Sequence, residues 1–309
     1  MASIITGLTT AQIAALTTAE IDGLTTEDIA AFTTTQIGAL TTVQIPVITT
    51  ANIAEFSTAQ IAAFKALQIP AFTTGQIEAL TTAQAAALTA SQIINFTTAQ
   101  VAAFETVDFA ALSTAAVALL TNAQLAAITT AQAGALTAGQ VAALGASKIL
   151  NLQTEDFASL STTAVAGLTT AQAAALTSTQ ITAMTTAQVQ ALETADVEKL
   201  STGAIGSLST AQVVALTTGQ AAALTSAQVA KLTTTQLAAL DAADFGALST
   251  ATIAALSTAQ IAALSNAQLA ELTGAQAAKL TSAQLTKLTT DQLGALTSSA
   301  IAGISTIAL

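Results

Sequence analysis

Histidine and cysteine are both absent from the chain, and so are tryptophan and tyrosine. Their absence rules out the Ser-His-Asp and Cys-His nucleophiles and any zinc site built on imidazole or thiolate. It also rules out disulfides, so cysteine usage does not mark a redox compartment. Charge is scarce. Charged residues make up 7% of the sequence, against about 25% in an ordinary globular domain. Six basic residues face 17 acidic ones, a net charge of −11. The basic footprint that nucleic acid requires is missing, as is attraction to anionic lipid. Mean hydropathy is positive at +0.68. Yet Thr or Ser pairs break up the apolar residues, and no run reaches the ~18 of a membrane-spanning helix. Residues 1–7 have no basic segment, against a standard signal peptide. The two prolines and 15 glycines are scattered and mark no linker.

The sequence is built on an octad. Its purest form is Leu8-Thr9-Thr10-Ala11-Gln12-Ile13-Ala14-Ala15, and it returns as Leu120-Thr121-Asn122-Ala123-Gln124-Leu125-Ala126-Ala127. From Leu8 to Ile304 every eighth residue is Leu, Phe, Ile or Met. With Thr9 as N-cap, its hydroxyl accepts from the backbone N–H of Gln12, and Gln12 reaches back to the N–H of Thr9, forming a capping box. Leu8 then falls at N′ and Ile13 at N4, the two ends of a hydrophobic staple. Helix-favouring Ala14 and Ala15 follow, and Leu16-Thr17 restarts the signal.

The octad fits neither a single long helix nor a strand array. Eight residues overshoot two helical turns by roughly 80°, so the apolar pair would circle the cylinder instead of forming one face. In strands one face recurs at even spacings. The separations here, Leu8 to Ile13 and Ile13 to Leu16, are odd, and alanine suits strands poorly. A β-solenoid is therefore the runner-up. The expected fold is an all-α solenoid, or superhelix, of short capped helices: one repeat domain, residues 1–309, of about 38 octads. An isolated octad is too short to be stable, so stability must come from stacking on neighbours. Pro46 and Pro70 sit just after the staple residue and predict shortened or irregular helices there.

A longer period overlies the octads. The box position is Asp at Asp28, Asp108, Asp156, Asp196 and Asp244. After the last four, the next octad carries Ala116, Ala164, Ala204 or Thr252 in place of Gln. The spacing of these marked octads alternates between six and five octads, which predicts about five to six helices per superhelical turn. Duplication history is the alternative explanation. Gly145-Ala146-Ser147-Lys148 is the most deviant octad start and, with Leu150-Asn151-Leu152, the expected weak point or bend. The apolar end, Ile301 to Leu309, lacks the polar cap of a solenoid end, which predicts truncation, self-association or burial by a partner.

Several carboxylates lie close in sequence: Glu27/Asp28, Glu105/Asp108, Glu155/Asp156, Glu193/Asp196 and Asp241/Asp244. First-turn acids favoured by the helix dipole account for them. A ladder of calcium sites would need Gly-rich acidic loops with oxygen-ligand spacing, and there are none. Lys65, Lys148, Lys199, Lys231, Lys279 and Lys287 are isolated and read as solvated surface. No residue is nominated as catalytic, cofactor-binding or metal-binding, and the chain reads as a non-enzyme with no cofactor.

The octad resembles tracts found in very large bacterial repeat proteins, many of them predicted to be surface or secreted proteins. That resemblance implies a stalk, spacer or adhesin-like interaction scaffold at the cell surface or outside the cell, with no catalytic residues to transfer. Unbroken phase is also what a designed or consensus protein would show. Two other roles follow from the residues. The Ala/Thr-rich composition resembles the helical antifreeze family, which implies an ice-binding or other surface-binding array along Thr10, Thr18, Thr26, Thr130, Thr170 and Thr210. The apolar end implies a self-assembling filament subunit.

Overall fold

The computed structural model describes residues 3–304. Among the described residues the chain forms thirty-five α-helices and two 3-10 helices, with no strand. It is a helical solenoid, and the β-solenoid is set aside. The capping box explains why each helix starts. At helix Thr10–Ala15, Thr9 is extended at φ −74°, ψ 161° and closes the full box with Gln12. Leu16, at φ −60°, ψ 138°, ends the helix and stands just ahead of the next N-cap. Two extended residues, Leu16 and Thr17, therefore separate this helix from the next and turn the chain. Ile45–Val47 and Ala66–Ala71, which hold Pro46 and Pro70, are the two 3-10 helices, as the missing backbone donors require.

The chain divides into two compact units between Ser161 and Thr162. In the first unit, helix Thr10–Ala15 packs on Thr34–Ile37, Thr26–Ala31 on Thr50–Glu55, and Thr82–Ala87 on Thr106–Ala111. In the second, Thr170–Ala175 packs on Thr194–Lys199, which packs on Thr218–Ala223, which packs on Ala242–Gly246. Each of these partners lies three octads along. The expected five to six helices per turn is corrected to little more than three, and the spacing of the marked octads is not the length of a turn.

The interior is filled by the two apolar positions of each octad. Ile13, Ile45, Phe109, Phe157 and Phe245 are fully buried, and so is nearly every described residue at the multiple-of-eight position. In the first unit these side chains form a phenylalanine column. Phe56 and Phe64 meet edge-on with ring centres 5.6 Å apart, and Phe64 and Phe72 at 4.9 Å. Phe32 meets Phe56, three octads on, at 6.5 Å. Such tilted ring pairs add to plain area burial. Alanine at the staple position, as at Ala85 and Ala173, is equally buried and lets neighbouring backbones approach.

The deviant start at Gly145 stays in phase. Helix Ala146–Ile149 has four residues and no side-chain cap, and Ile149 and Leu152 are buried like their counterparts. Of the apolar end on which self-association rests, residues 305–309 lie outside the described residues.

Candidate functional site: the amide ladder and the acidic octads

The box glutamine does two jobs. Its Oε1 accepts the N-cap N–H of its own helix, as Gln60 does from Ser57 at 2.7 Å. Its Nε2 reaches into the preceding turn. Gln44 donates to the carbonyls of Ile13 at 2.9 Å and Leu16 at 2.8 Å, residues 31 and 28 positions earlier. Gln60 does the same to Ile29 and Phe32, Gln92 to Ile61 and Phe64, and Gln124 to Ile93 and Phe96. In the second unit Gln212 reaches Ile181 and Met184, and Gln268 reaches Leu237 and Leu240. The last carbonyls of a helix have no partner within it. One side chain thus satisfies a donor at its own helix start and, one turn back, the helix-ending carbonyl together with a carbonyl that already accepts the C-cap N–H. These glutamines are buried, so each rung is also protected from water.

The exceptions follow the same logic. Gln12, Glu20 and Asp28 all close the box of their own helix, a bond for which an acid serves as well as glutamine. Asn52, one methylene shorter, makes a single rung to Leu24 at 2.8 Å. Lys148 Nζ donates to the Ala118 carbonyl, 30 residues earlier. Lys148 is therefore a ladder residue and not the solvated surface lysine its isolation suggested. Lys199 is exposed and pairs with its neighbour Glu198 at 3.0 Å.

The marked octads differ from all these. Their N-cap residues are Glu105, Gln153, Glu193 and Asp241, none of which makes a side-chain cap bond. The expectation of Asp as a capping-box residue holds at Asp28 alone. Glu27 also lies in a first turn, as expected, whereas Glu105, Glu193 and Asp241 precede theirs. Asp108 and Asp244 turn toward the preceding turn and accept hydroxyls, from Thr82 and Thr218 respectively, each at 2.6 Å. In Asp156 and Asp196 one buried carboxylate oxygen, Oδ2, has no hydrogen-bond partner. Burial pushes the Asp196 carboxyl above its ordinary range, with the Glu193 charge adding to it. Burial does the same to Asp156, opposed by the Thr130 hydroxyl and reinforced by Glu155. Asp28 is the opposite case. Burial raises it, but hydrogen bonds from Thr25, Ser3 and Ile4 prevail and hold it at about 2.

Among the described residues no three carboxylates gather in a group suited to a metal ion. The interior between Phe64, Phe72, Ile77 and Phe96 leaves only about 10 Å³, too little for a ligand. The larger depressions are open to solvent, as at Asp22, Pro46 and Thr73 with about 540 Å³. No described helix is long and apolar enough to cross a membrane.

Residues 5–42, 101–138, 149–186, 189–226 and 237–274 match the sequence model of the ALTTAQ repeat, together more than half of the chain. The chain belongs to the ALTTAQ repeat family. No protein in the curated set matches it. The last four ALTTAQ segments begin seven residues before Asp108, Asp156, Asp196 and Asp244. The long period of the marked octads is thus in register with the family's repeat and not with a superhelical turn. Sequence reasoning missed the ladder itself. The available signal was the preference for Gln where Glu would close a box equally well.

Proposed function

We propose that this ALTTAQ repeat protein is a structural spacer or stalk, or an interaction scaffold, with no catalytic activity. The observation that carries this reading is the amide ladder, which commits the box side chain of most octads to holding successive turns together. That leaves a surface of alanine, threonine and few charges. We read residues 1–309 as one repeat domain because the octad phase runs unbroken through Ser161 and Thr162. A repeat array of this kind lengthens with each added unit. The test is a series of chains with added or removed octads, measured by small-angle scattering. The reading requires the maximum dimension to grow in proportion to octad number, and a dimension that stays fixed would overturn it.

A second reading has one observation in its favour. Thr10, Thr18, Thr26, Thr130, Thr170 and Thr210 are exposed, and capping uses the preceding residue, as at Thr9, Thr17 and Thr25. Exposed threonines in repeated positions, of which Thr130 already bonds Asp156, suit binding to ice or another ordered surface. Thermal hysteresis that disappears on replacing these threonines would establish that reading, and freezing behaviour no different from that of a control protein would eliminate it.

A further inference from the structure

The ladder has gaps, which fall at the marked octads, at the octads that follow them and at Ala300. In the second unit no side-chain amide reaches the carbonyls of Leu168 and Leu176, because Asp196 and Ala204 stand where glutamine would. Further along, Asp244 and Thr252 leave the carbonyls of Leu216 and Leu224 with only the Thr252 hydroxyl, at 3.4 Å from Leu224. In the first unit Asp108 and Ala116 face Leu80 and Leu88 in the same way. Between the gaps the rungs are regular: Gln212, Gln220, Gln228 and Gln236 all donate to the preceding turn. The octad of Asp196 combines three deficits. Its N-cap Glu193 gives no side-chain bond, it carries no amide rung, and its buried Asp196 Oδ2 lacks a partner. Apolar burial continues through the gap, with Val197 and Ile205 fully buried, so the fold is held there by packing with fewer directed bonds.

We propose that these gaps are built-in opening points, at which successive turns separate first while the laddered blocks between them stay closed. The order is set by the side chains. Asp196–Ala204 opens before Asp244–Thr252, because Asp244 keeps the Thr218 hydroxyl bond to the preceding turn. In a spacer, such points let the solenoid lengthen under load in steps of whole blocks. Only this use rests on the spacer reading; the opening order is a property of the chain in solution.

Native-state hydrogen exchange on the full chain reads the opening directly, since locally opening segments exchange ahead of global unfolding. Amides in helices Thr194–Lys199 and Thr202–Gly206 are expected to exchange about tenfold or more faster than those in Thr218–Ala223 and Ser226–Val229, the effect of one or two lost hydrogen bonds. The variant E193T/D196Q restores cap and rung and is expected to slow the first pair by a similar factor. The variant Q220A/Q228A removes two rungs and is expected to create a new fast segment in the middle of a block. It decides the matter if the first variant does not fold. Equal protection across gaps and blocks, or a Q220A/Q228A chain whose exchange pattern stays unchanged, overturns the proposal. Failure of the spacer reading would show instead in the length series and would leave this pattern intact.

Discussion

Gln44 and Leu16 are joined by a 2.8 Å hydrogen bond from the buried amide nitrogen to the carbonyl that ends a helix 28 residues earlier. A Q44E substitution keeps the acceptor for the Thr41 N–H, since glutamate accepts there as well as glutamine does. It removes the donor and places a carboxylate against the buried carbonyl of Ile13 and the part-buried carbonyl of Leu16. The expected loss is about 2–4 kcal/mol, since the Leu16 carbonyl is left without its donor and both carbonyls then face a charge. Part of it should return on acidification, when the carboxyl regains a proton to donate. The same change at exposed Gln12, which makes only the box bonds, should stay within about 0.5 kcal/mol. Urea unfolding of both variants at two pH values checks the contrast, and equal effects at both positions would deny the ladder its role.

Close approach between turns predicts a second contrast, between two glycines. A Cβ on Gly274 would lie 2.8 Å from the Ser299 carbonyl oxygen, one turn along, and 3.3 Å from the Ser299 hydroxyl. Backbone at that distance cannot yield cheaply, so G274A should cost about 1–3 kcal/mol by overpacking. Gly75 has nothing within 4 Å of the same point. There G75A should stabilise by about 0.4–1 kcal/mol, mainly by restricting the unfolded chain. Thermal melts that move in the same direction for both would contradict the turn-to-turn contact.

Half of the architecture was legible because it is local. Thr9 and Gln12 lie three residues apart, so their bracket shows in residue type and spacing, and the same holds for the irregular helices at Pro46 and Pro70. The ladder was not legible because its acceptors are backbone carbonyls 28 and 31 residues away, and a carbonyl has no residue type. The turn length was misjudged for a related reason. The spacing from Asp108 to Asp156 to Asp196 was the only long period visible, and it belongs to the ALTTAQ repeat unit. The pitch is set by how closely helices such as Thr170–Ala175 and Thr194–Lys199 pack, which depends on buried Ala173 and Val197 and leaves no periodic mark of its own. Lys148 looked like any isolated lysine until the fold placed the Ala118 carbonyl within its reach.

Acid should act in opposite directions on Asp196 and Asp28. Asp196 is raised by burial and by Glu193; the helices packed on its own, Thr170–Ala175 and Thr218–Ala223, carry no charged residue. Below the unfolded value of 3.8 both states are protonated and the group exerts no penalty. As pH rises above it, the unfolded chain ionises first, so this group's contribution turns against folding. D196N should therefore be more stable than the parent chain at pH 7, with the difference shrinking toward pH 3. Asp28 is held at about 2 against 3.8. It contributes stability above pH 3.8 that is lost as pH falls toward 2, and D28N should be less stable at pH 7. Denaturant midpoints of the two variants across this range should diverge from the parent in opposite senses. Parallel shifts would refute the assignment of the orphan oxygen in Asp196.

Deletions test whether the octad is the unit of register. Removing residues 216–223 brings the carbonyl of Leu192 to the position 28 residues before Gln228, in place of Leu200. Both are buried helix-ending leucines of the same kind, so the downstream rungs can re-form one octad back. Removing residues 216–219 instead places the middle of an octad at that position. The amides of Gln220, Gln228 and Gln236 would then meet no helix-ending carbonyl, and the apolar residues downstream would lose phase with the turn before. The whole-octad deletion is expected to keep a single cooperative melt with a small loss of stability, as stacked repeats do. The four-residue deletion is expected to melt at markedly lower temperature or in two steps. Equal damage from both, by circular dichroism at 222 nm, would mean that register between turns is not what holds this chain together.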